Sequence, residues 1–426
     1  MGVRALLADT APLSNPPFRR LWTANIVTVI GAQLTVVAVP AQIYAITGSS
    51  AYVGLTGVFG LVPLVVFGLW GGALADVLDR RSILRVTTIG LILSSGAFWA
   101  QAAAGADSVW LLLSLFAIQQ AFFAINQPTR SAVLPRLLPP HQLPAANALN
   151  MTVMQAGAIA GPLVGGALIP VLGFSALYAV DTVTLFATLW AVIRLPALPI
   201  EGAPAGAPGV RAVLDGFAYL RGHRVLLMSF VVDIIAMVFG MPRALFPQVA
   251  HESFGGPVEG GLAFALLFAG IPAGAVLGGI LSGWVSRVRR QGRAVIGAIL
   301  VWGLAMAAFG GAVGLAAHAR RLLLGVAVLT LVVGGAADMA SSAFRNSMLQ
   351  SAASDAVRGR LQGVFIVVVA GGPRIADVVH GGAAALVGTA VTAGVGGLLV
   401  IVLVGWCAHA SPSFLGYRVE RPDGTP

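Results

Sequence analysis

Gly71-Gly72-Ala73-Leu74-Ala75-Asp76-Val77-Leu78-Asp79-Arg80-Arg81 sets two acids and two arginines in a short break between two long apolar runs. Gly278-Gly279-Ile280-Leu281 repeats its glycines 207 residues later, with Arg287 at the place of Arg80. A charged turn repeated between runs of membrane length predicts a duplicated bundle of transmembrane helices. The echo has Gly283 where Asp76 stands, so the repeat keeps the packing residues and drops the acid.

The runs on either side of that break are part of a longer series. Apolar residues make up 58% of the 426 residues and charged residues only 9%, too few charges for a soluble domain of this size. Twelve runs of twenty or so residues follow one another: 21–46, 53–75, 84–104, 109–127, 147–172, 174–194, 224–250, 260–285, 294–317, 322–346, 361–387 and 389–409. Each is long enough to span a hydrocarbon core of about 30 Å. The 54 glycines are spread along the chain, which suits close helix packing in lipid.

All 25 basic residues are arginine. A phosphate-binding loop of the Walker type needs a lysine, so ATP hydrolysis by that route is excluded, as is Schiff-base chemistry. One cysteine, Cys407, allows no internal disulfide, and the six histidines have no metal-ligand spacing. The sequence therefore points to no cofactor, metal or catalytic group. The excess of arginine reports topology rather than nucleic-acid binding. With a cytoplasmic N-terminus, 21 of the 25 arginines fall on cytoplasmic segments or their edges, as the positive-inside rule requires. Both termini are then cytoplasmic. Residues 1–20 lack the apolar core of a signal peptide.

The Pro- and Gly-rich stretch 195–223 reads as a cytoplasmic loop joining two halves. The expected plan is an N-terminal arm at 1–20, six spans over 21–194, that loop, six spans over 224–409, and a tail at 410–426. Pro40 echoes in Pro247, Gly54-Leu55 in Gly261-Leu262 and Arg130 in Arg345. The whole is an all-α integral membrane protein of two pseudo-symmetric six-helix halves. This plan resembles the major facilitator superfamily.

Gly72, Leu74, Asp76, Arg80, Arg81 and Leu84 match that superfamily's loop between helices 2 and 3, while Asp79 replaces its usual glycine. The resemblance implies a gating motif of Gly72, Asp76, Arg80 and Arg81. Asp76 would meet the inner end of helix 11, near Arg358-Gly359-Arg360, where a helix N-terminus favours an anion. Gly157, Gly161, Pro162 and Gly165 resemble the "antiporter" motif of drug exporters in helix 5. Gly270, Gly274 and Gly278 make a similar stripe in helix 8. Glycines four apart form a smooth surface. By resemblance the two stripes face each other across the halves.

Polar groups within the spans are costly in lipid and so are functional candidates. Gln33, Gln119, Asp233 and Arg374 lie near the middle of spans 1, 4, 7 and 11, and Asp338 in the inner half of span 10. Asn126 follows Gln119 by seven residues and shares its face. Asp377 follows Arg374 by three. The resemblance places a cavity between helices 1, 4, 7 and 10, bordered by helix 11. Asp233 and Arg374 are candidates for a buried ion pair, serving either transport or the fold of the second half. His380 reads as a packing residue and Asp181, in span 6, as peripheral. Residues 112–124 lack the arginine that many proton-driven relatives carry in helix 4. A proton carrier would then be Asp233, Asp338 or Asp377.

Val37-Ala38-Val39-Pro40-Ala41-Gln42-Ile43-Tyr44, Asn15-Pro16-Pro17-Phe18-Arg19, Ser347-Met348-Leu349-Gln350 and Gly359-Arg360-Leu361-Gln362-Gly363 resemble the enterobactin exporter-like, drug:proton antiporter subgroup. That resemblance implies a monomer in the bacterial cytoplasmic membrane, in contact with lipid. It would export a small amphiphilic molecule, siderophore or drug-like, in exchange for protons, by rocking of the halves. A lipid or lysophospholipid flippase is the alternative within the fold. A membrane scaffold or sensor would need a soluble domain that the chain lacks, and a membrane enzyme would need catalytic groups that it does not display.

Overall fold

The computed structural model describes residues 9–196, 219–220, 222–352 and 355–418, without the side chains of residues 69, 71–77, 286, 350–352 and 355–370. Twelve long helices order these residues. They are α1 Pro16–Thr47, α2 Ser50–Val77, α3 Arg80–Ala103, α4 Val109–Leu137, α5 and α6 within Leu143–Ile193, α7 Arg224–Gly240, α8 Leu262–Ile280, α9 Gln291–Gly314, α10 Arg320–Ala352, α11 Asp355–Val387 and α12 Thr389–Ala410. Leu143–Ile193 is one helical stretch broken at Gly173, whose φ of 73° and ψ of 168° only glycine adopts without strain. The break makes α5 (143–172) and α6 (174–193). Most of the expected central loop lies outside the described residues.

Ten stretches among the described residues are long and apolar enough to cross a membrane. One of them, Pro140–Ile193, has 54 residues and holds two crossings on either side of Gly173. Large apolar side chains stand on the outside, among them Leu93 at 68%, Val171 at 77% and Leu386 at 86% exposure. A soluble surface would not carry so many; lipid covers them without cost.

The chain divides into two compact units. The first contains Met1–Gln42 and Val62–Gly209, the second Ile43–Leu61 and Val210–Pro426. The hairpin at 43–61 thus groups with the second unit, although it lies between elements of the first in sequence. One core of the first unit gathers Phe18, Leu21, Leu84, Val133, Leu137, Leu149 and Val192. Asn15 ties this end together: its Oδ1 accepts from Phe18 N at 3.1 Å, capping α1, and its Nδ2 donates to Leu137 O at 2.8 Å, at the end of α4. In the second unit Phe246 packs edge-on to Phe268 and Phe309, with ring centroids 5.3 and 6.0 Å away. Trp302 is buried there, its indole N–H donated to Ala236 O at 3.2 Å.

Span 7 is not one helix. α7 stops at Gly240, and a 3-10 turn Arg243–Leu245, a short helix Phe246–Gln248 and a π-helical turn Val249–Ser253 continue it. Pro242 explains the stop, because proline lacks an N–H and pushes the residue before it out of helical geometry.

Candidate functional site

The break between α2 and α3 has a local logic. Asp79 caps α3, accepting from Arg81 N at 3.3 Å and Ser82 N at 3.2 Å. This accounts for an acid where the resemblance expects glycine. Arg80 Nη1 donates to Ala132 O in α4 at 3.0 Å, and Arg81 and Arg85 both donate to Ile193 O, at the end of α6. The last carbonyls of a helix are unpaired and partly negative, so guanidinium groups bind them well. The arginines of this motif therefore hold helices of their own unit. The side chains of Gly72, Asp76, Arg358 and Arg360 lie outside the described residues. Asp79→Ala is expected to cost about 1 kcal/mol through the lost cap. A lowered apparent melting temperature of the purified protein checks this.

Each glycine stripe packs on a neighbour inside its own unit. A Cβ at Gly161 would meet Gln33, one at Gly157 Val29, and one at Gly165 Leu34, so the α5 stripe lies on α1. A Cβ at Gly270 would meet Leu331, one at Gly274 Val332, and one at Gly278 Ala336, so the α8 stripe lies on α10. Pro162 is buried in α5 between these glycines. Smooth stripes demand a close neighbour, and sequence alone does not say which.

Asp233, on α7, is 1% exposed and forms an ion pair with Arg345 of α10, itself 5% exposed. The expected partner, Arg374, is not the one that the carboxylate takes. Arg345 also donates to Ser341 Oγ at 3.2 Å and to Ser342 Oγ at 3.1 Å. Asp338, half-buried and two turns earlier on α10, sits within electrostatic reach of both Arg345 and Asp233. The cluster thus joins two carboxylates to one guanidinium. The positive-inside count assigns Arg345 to a cytoplasmic edge; α10 runs on to Ala352 and keeps it inside the helix. Its echo, Arg130 of α4, donates to Leu21 O of α1 at 3.4 Å. Each arginine of this pair reaches the first helix of its own half.

A second charged pair lies where span 7 breaks. Arg243 Nη2 donates to Asp377 Oδ2 of α11 at 2.8 Å, and Asp377 is 2% exposed. Arg374, one turn before Asp377, is half-buried and near both. The hairpin of the second unit packs here. A Cβ at Gly54 would come within 2.6 Å of Asp377 O, so α2 and α11 touch backbone to backbone. Tyr44 donates its hydroxyl to Glu252 Oε1 at 3.0 Å, Gln248 Nε2 donates to both oxygens of Glu252, and Ser50 Oγ donates to Gln248 Oε1 at 2.6 Å. These four side chains stitch both arms of the hairpin to the π-helical turn.

The other candidates separate. Gln33 is half-buried against the α5 glycines. Gln119 is half-buried on α4. Asn126 turns away from any shared face, donating to Thr87 Oγ1 of α3 at 2.8 Å. His380 is buried, with Nδ1 against Ala376 O at 3.1 Å. Two groups escaped the sequence reading, and a third was set aside. Arg345 was signalled by its sevenfold spacing from Asp338. Arg243 was signalled as a rare arginine on the outer side. Asp181, which the sequence makes peripheral, is where three helices converge in space.

The family profile described as transmembrane secretion effector matches residues 7–412. Enterobactin exporter EntS of Shigella boydii is 29% identical over 408 residues, 92% of this chain and 91% of that protein. Enterobactin exporter EntS of Escherichia coli is 28% identical over the same length and shares. Among solved structures, nucleoside transporter NupG aligns with TM-score 0.71 at 12% identity, over 95% of this chain and 100% of that one. A bacterial homologue of the human lysosomal transporter Spinster aligns with TM-score 0.70 at 16% identity, over 95% and 99%. The structural likeness establishes the major facilitator fold for this multi-pass membrane protein.

Proposed function

Since the chain belongs to the transmembrane secretion effector family, and is a membrane efflux transporter, we propose that it exports a small amphiphilic molecule in exchange for protons. A siderophore is the first class to test, given the likeness to the enterobactin exporters. The observation that carries the proton part is the buried cluster of Asp233, Asp338 and Arg345. Two acids around one guanidinium balance only when one proton is bound. An uncompensated charge in a low dielectric is expensive, so the cluster alternates between proton and positively polarised substrate group rather than staying empty. That alternation is what antiport requires.

The hairpin at 43–61 supplies the moving part of this reading. Its grip on the second unit runs through Tyr44, Glu252, Gln248 and Ser50, all near helix ends on the outer side of the expected topology. Release of this grip would open the outer side. Tyr44→Phe combined with Ser50→Ala is expected to raise thiol labelling of a cysteine placed at Ala51 from the outside, in a background with Cys407 replaced. Unchanged labelling counts against the latch.

The test of the function is uptake into everted membrane vesicles from cells lacking other siderophore exporters. Enterobactin, a macrolide and a lysophospholipid are supplied in turn, with and without an uncoupler. Accumulation of enterobactin or the macrolide that the uncoupler abolishes supports the proposal. Uncoupler-insensitive accumulation refutes proton exchange, and movement of the lysophospholipid alone makes the protein a flippase.

A further inference from the structure

Asp181 of α6 is 2% exposed, at the seam where α6 meets α1 and α3 in the first unit. Its Oδ2 accepts two hydrogen bonds, from Thr35 Oγ1 at 2.7 Å and from Ser95 Oγ at 2.8 Å. Its Oδ1 accepts none. The surroundings bring α1 unusually close: a Cβ at Gly31 would stand 3.0 Å from Oδ1. On α6 the hydroxyl of Thr184 is donated to the backbone carbonyl of Asp181 at 2.9 Å and that of Thr182 to Tyr178 O at 2.8 Å.

The charges around it are sparse. On α6 the titratable neighbour is Tyr178, one turn away, whose hydroxyl is donated to Gln42 Oε1 at 2.9 Å. α1 faces the seam with Gly31, Thr35 and Gln42, and α3 with Ser95 and Gln101. Gln42 and Gln101 bond each other. The arginines of these helices lie at Arg20 or before on α1, at Arg85 or before on α3 and at Arg194 beyond α6, ten or more residues along each helix and thus about 15 Å away.

A carboxylate has two equivalent oxygens and spreads its charge over both. Leaving one of them bare while both donors crowd the other wastes half of the charge, in a place where two neutral hydrogen bonds do not offset desolvation. A neutral acid has unlike oxygens. Its carbonyl oxygen accepts two donors through two lone pairs, and its hydroxyl carries the proton. Two donors on Oδ2 suit a carbonyl oxygen, and an O–H at the partnerless Oδ1 costs less in this setting than a half-bare charge. We propose that Asp181 is a proton-binding site of the first unit, holding its proton as a neutral acid where α1, α3 and α6 meet. This site is distinct from the Asp233, Asp338 and Arg345 cluster, and it goes beyond the exchange reading without resting on it. It makes the packing of α1 on α6 depend on a proton: ionisation would demand water or a cation at Oδ1, close against Gly31 of α1.

Infrared spectroscopy of the purified full-length protein in lipid tests this without any transported substrate, so it is independent of whether the exchange reading holds. A carboxylic-acid C=O band at neutral pH should be lost in Asp181→Asn and kept in Asp338→Asn. Thr35→Val and Ser95→Ala, each removing one donor to the carbonyl oxygen, should move the same band to higher frequency. These two variants carry the test if Asp181→Asn does not fold. A band unchanged by all three substitutions at the seam, or gain and loss of carboxylate bands only, overturns the proposal.

Discussion

Arg345→Ala should be the most damaging single change in this protein. It strands Asp233, 1% exposed, without its counter-ion. Removing one partner of a buried pair costs about 3–5 kcal/mol, against a whole-domain stability of about 5–15 kcal/mol. The yield of monodisperse protein should fall sharply, and export with it. The double variant Asp233→Asn with Arg345→Gln removes both charges and keeps the shapes. It should recover folding, because replacing a buried ion pair by neutral groups is often close to neutral. It should not recover uncoupler-sensitive export. Full export by the double variant would make the pair purely structural. Normal yield and export of Arg345→Ala would dismiss the pair altogether.

Asp338→Asn should have the opposite profile. Asp338 is half-buried and shares Arg345 with a better-placed acid, so the fold does not lean on it. The amide matches the carboxyl in size and cannot take up a proton. Melting temperature and yield should stay near wild type. Vesicle uptake driven by a pH gradient should fall to the level seen with uncoupler, while exchange of labelled for unlabelled substrate continues. Loss of both activities would place Asp338 in substrate binding instead.

Much of the architecture was legible because lipid imposes simple demands. Apolar runs of membrane length, charged breaks and the echo of Gly71-Gly72 in Gly278-Gly279 give the helices and the duplication directly. The glycine stripes announce close packing through the absence of side chains. They do not name the neighbour, and α1 and α10 turned out to be the neighbours.

Charge partners were less legible. The bookkeeping of arginines against loops took Arg345 for an edge residue, since a helix end cannot be placed to within two turns from hydropathy alone. Placement near the middle of the spans makes Arg374 a candidate partner for Asp233, and spatial neighbourhood chooses Arg345. Asp181 was read as peripheral because its helix is. Its donors, Thr35 and Ser95, come from helices 146 and 86 residues away, and no periodicity in one helix reports them. The break of span 7 was not legible either: Pro40, Pro63 and Pro272 sit inside apolar helices that continue, whereas Pro242 follows the end of α7 and Arg243 sits at that break.

Proton release on substrate binding probes the central claim with least interpretation. Purified protein is mixed with enterobactin in lightly buffered solution containing a pH-sensitive dye, at a pH where the free siderophore does not titrate. Wild type should release protons as substrate binds, and Asp338→Asn should bind the same substrate and release fewer. Equal release by the two proteins, at equal binding, would contradict a proton held by Asp233, Asp338 and Arg345.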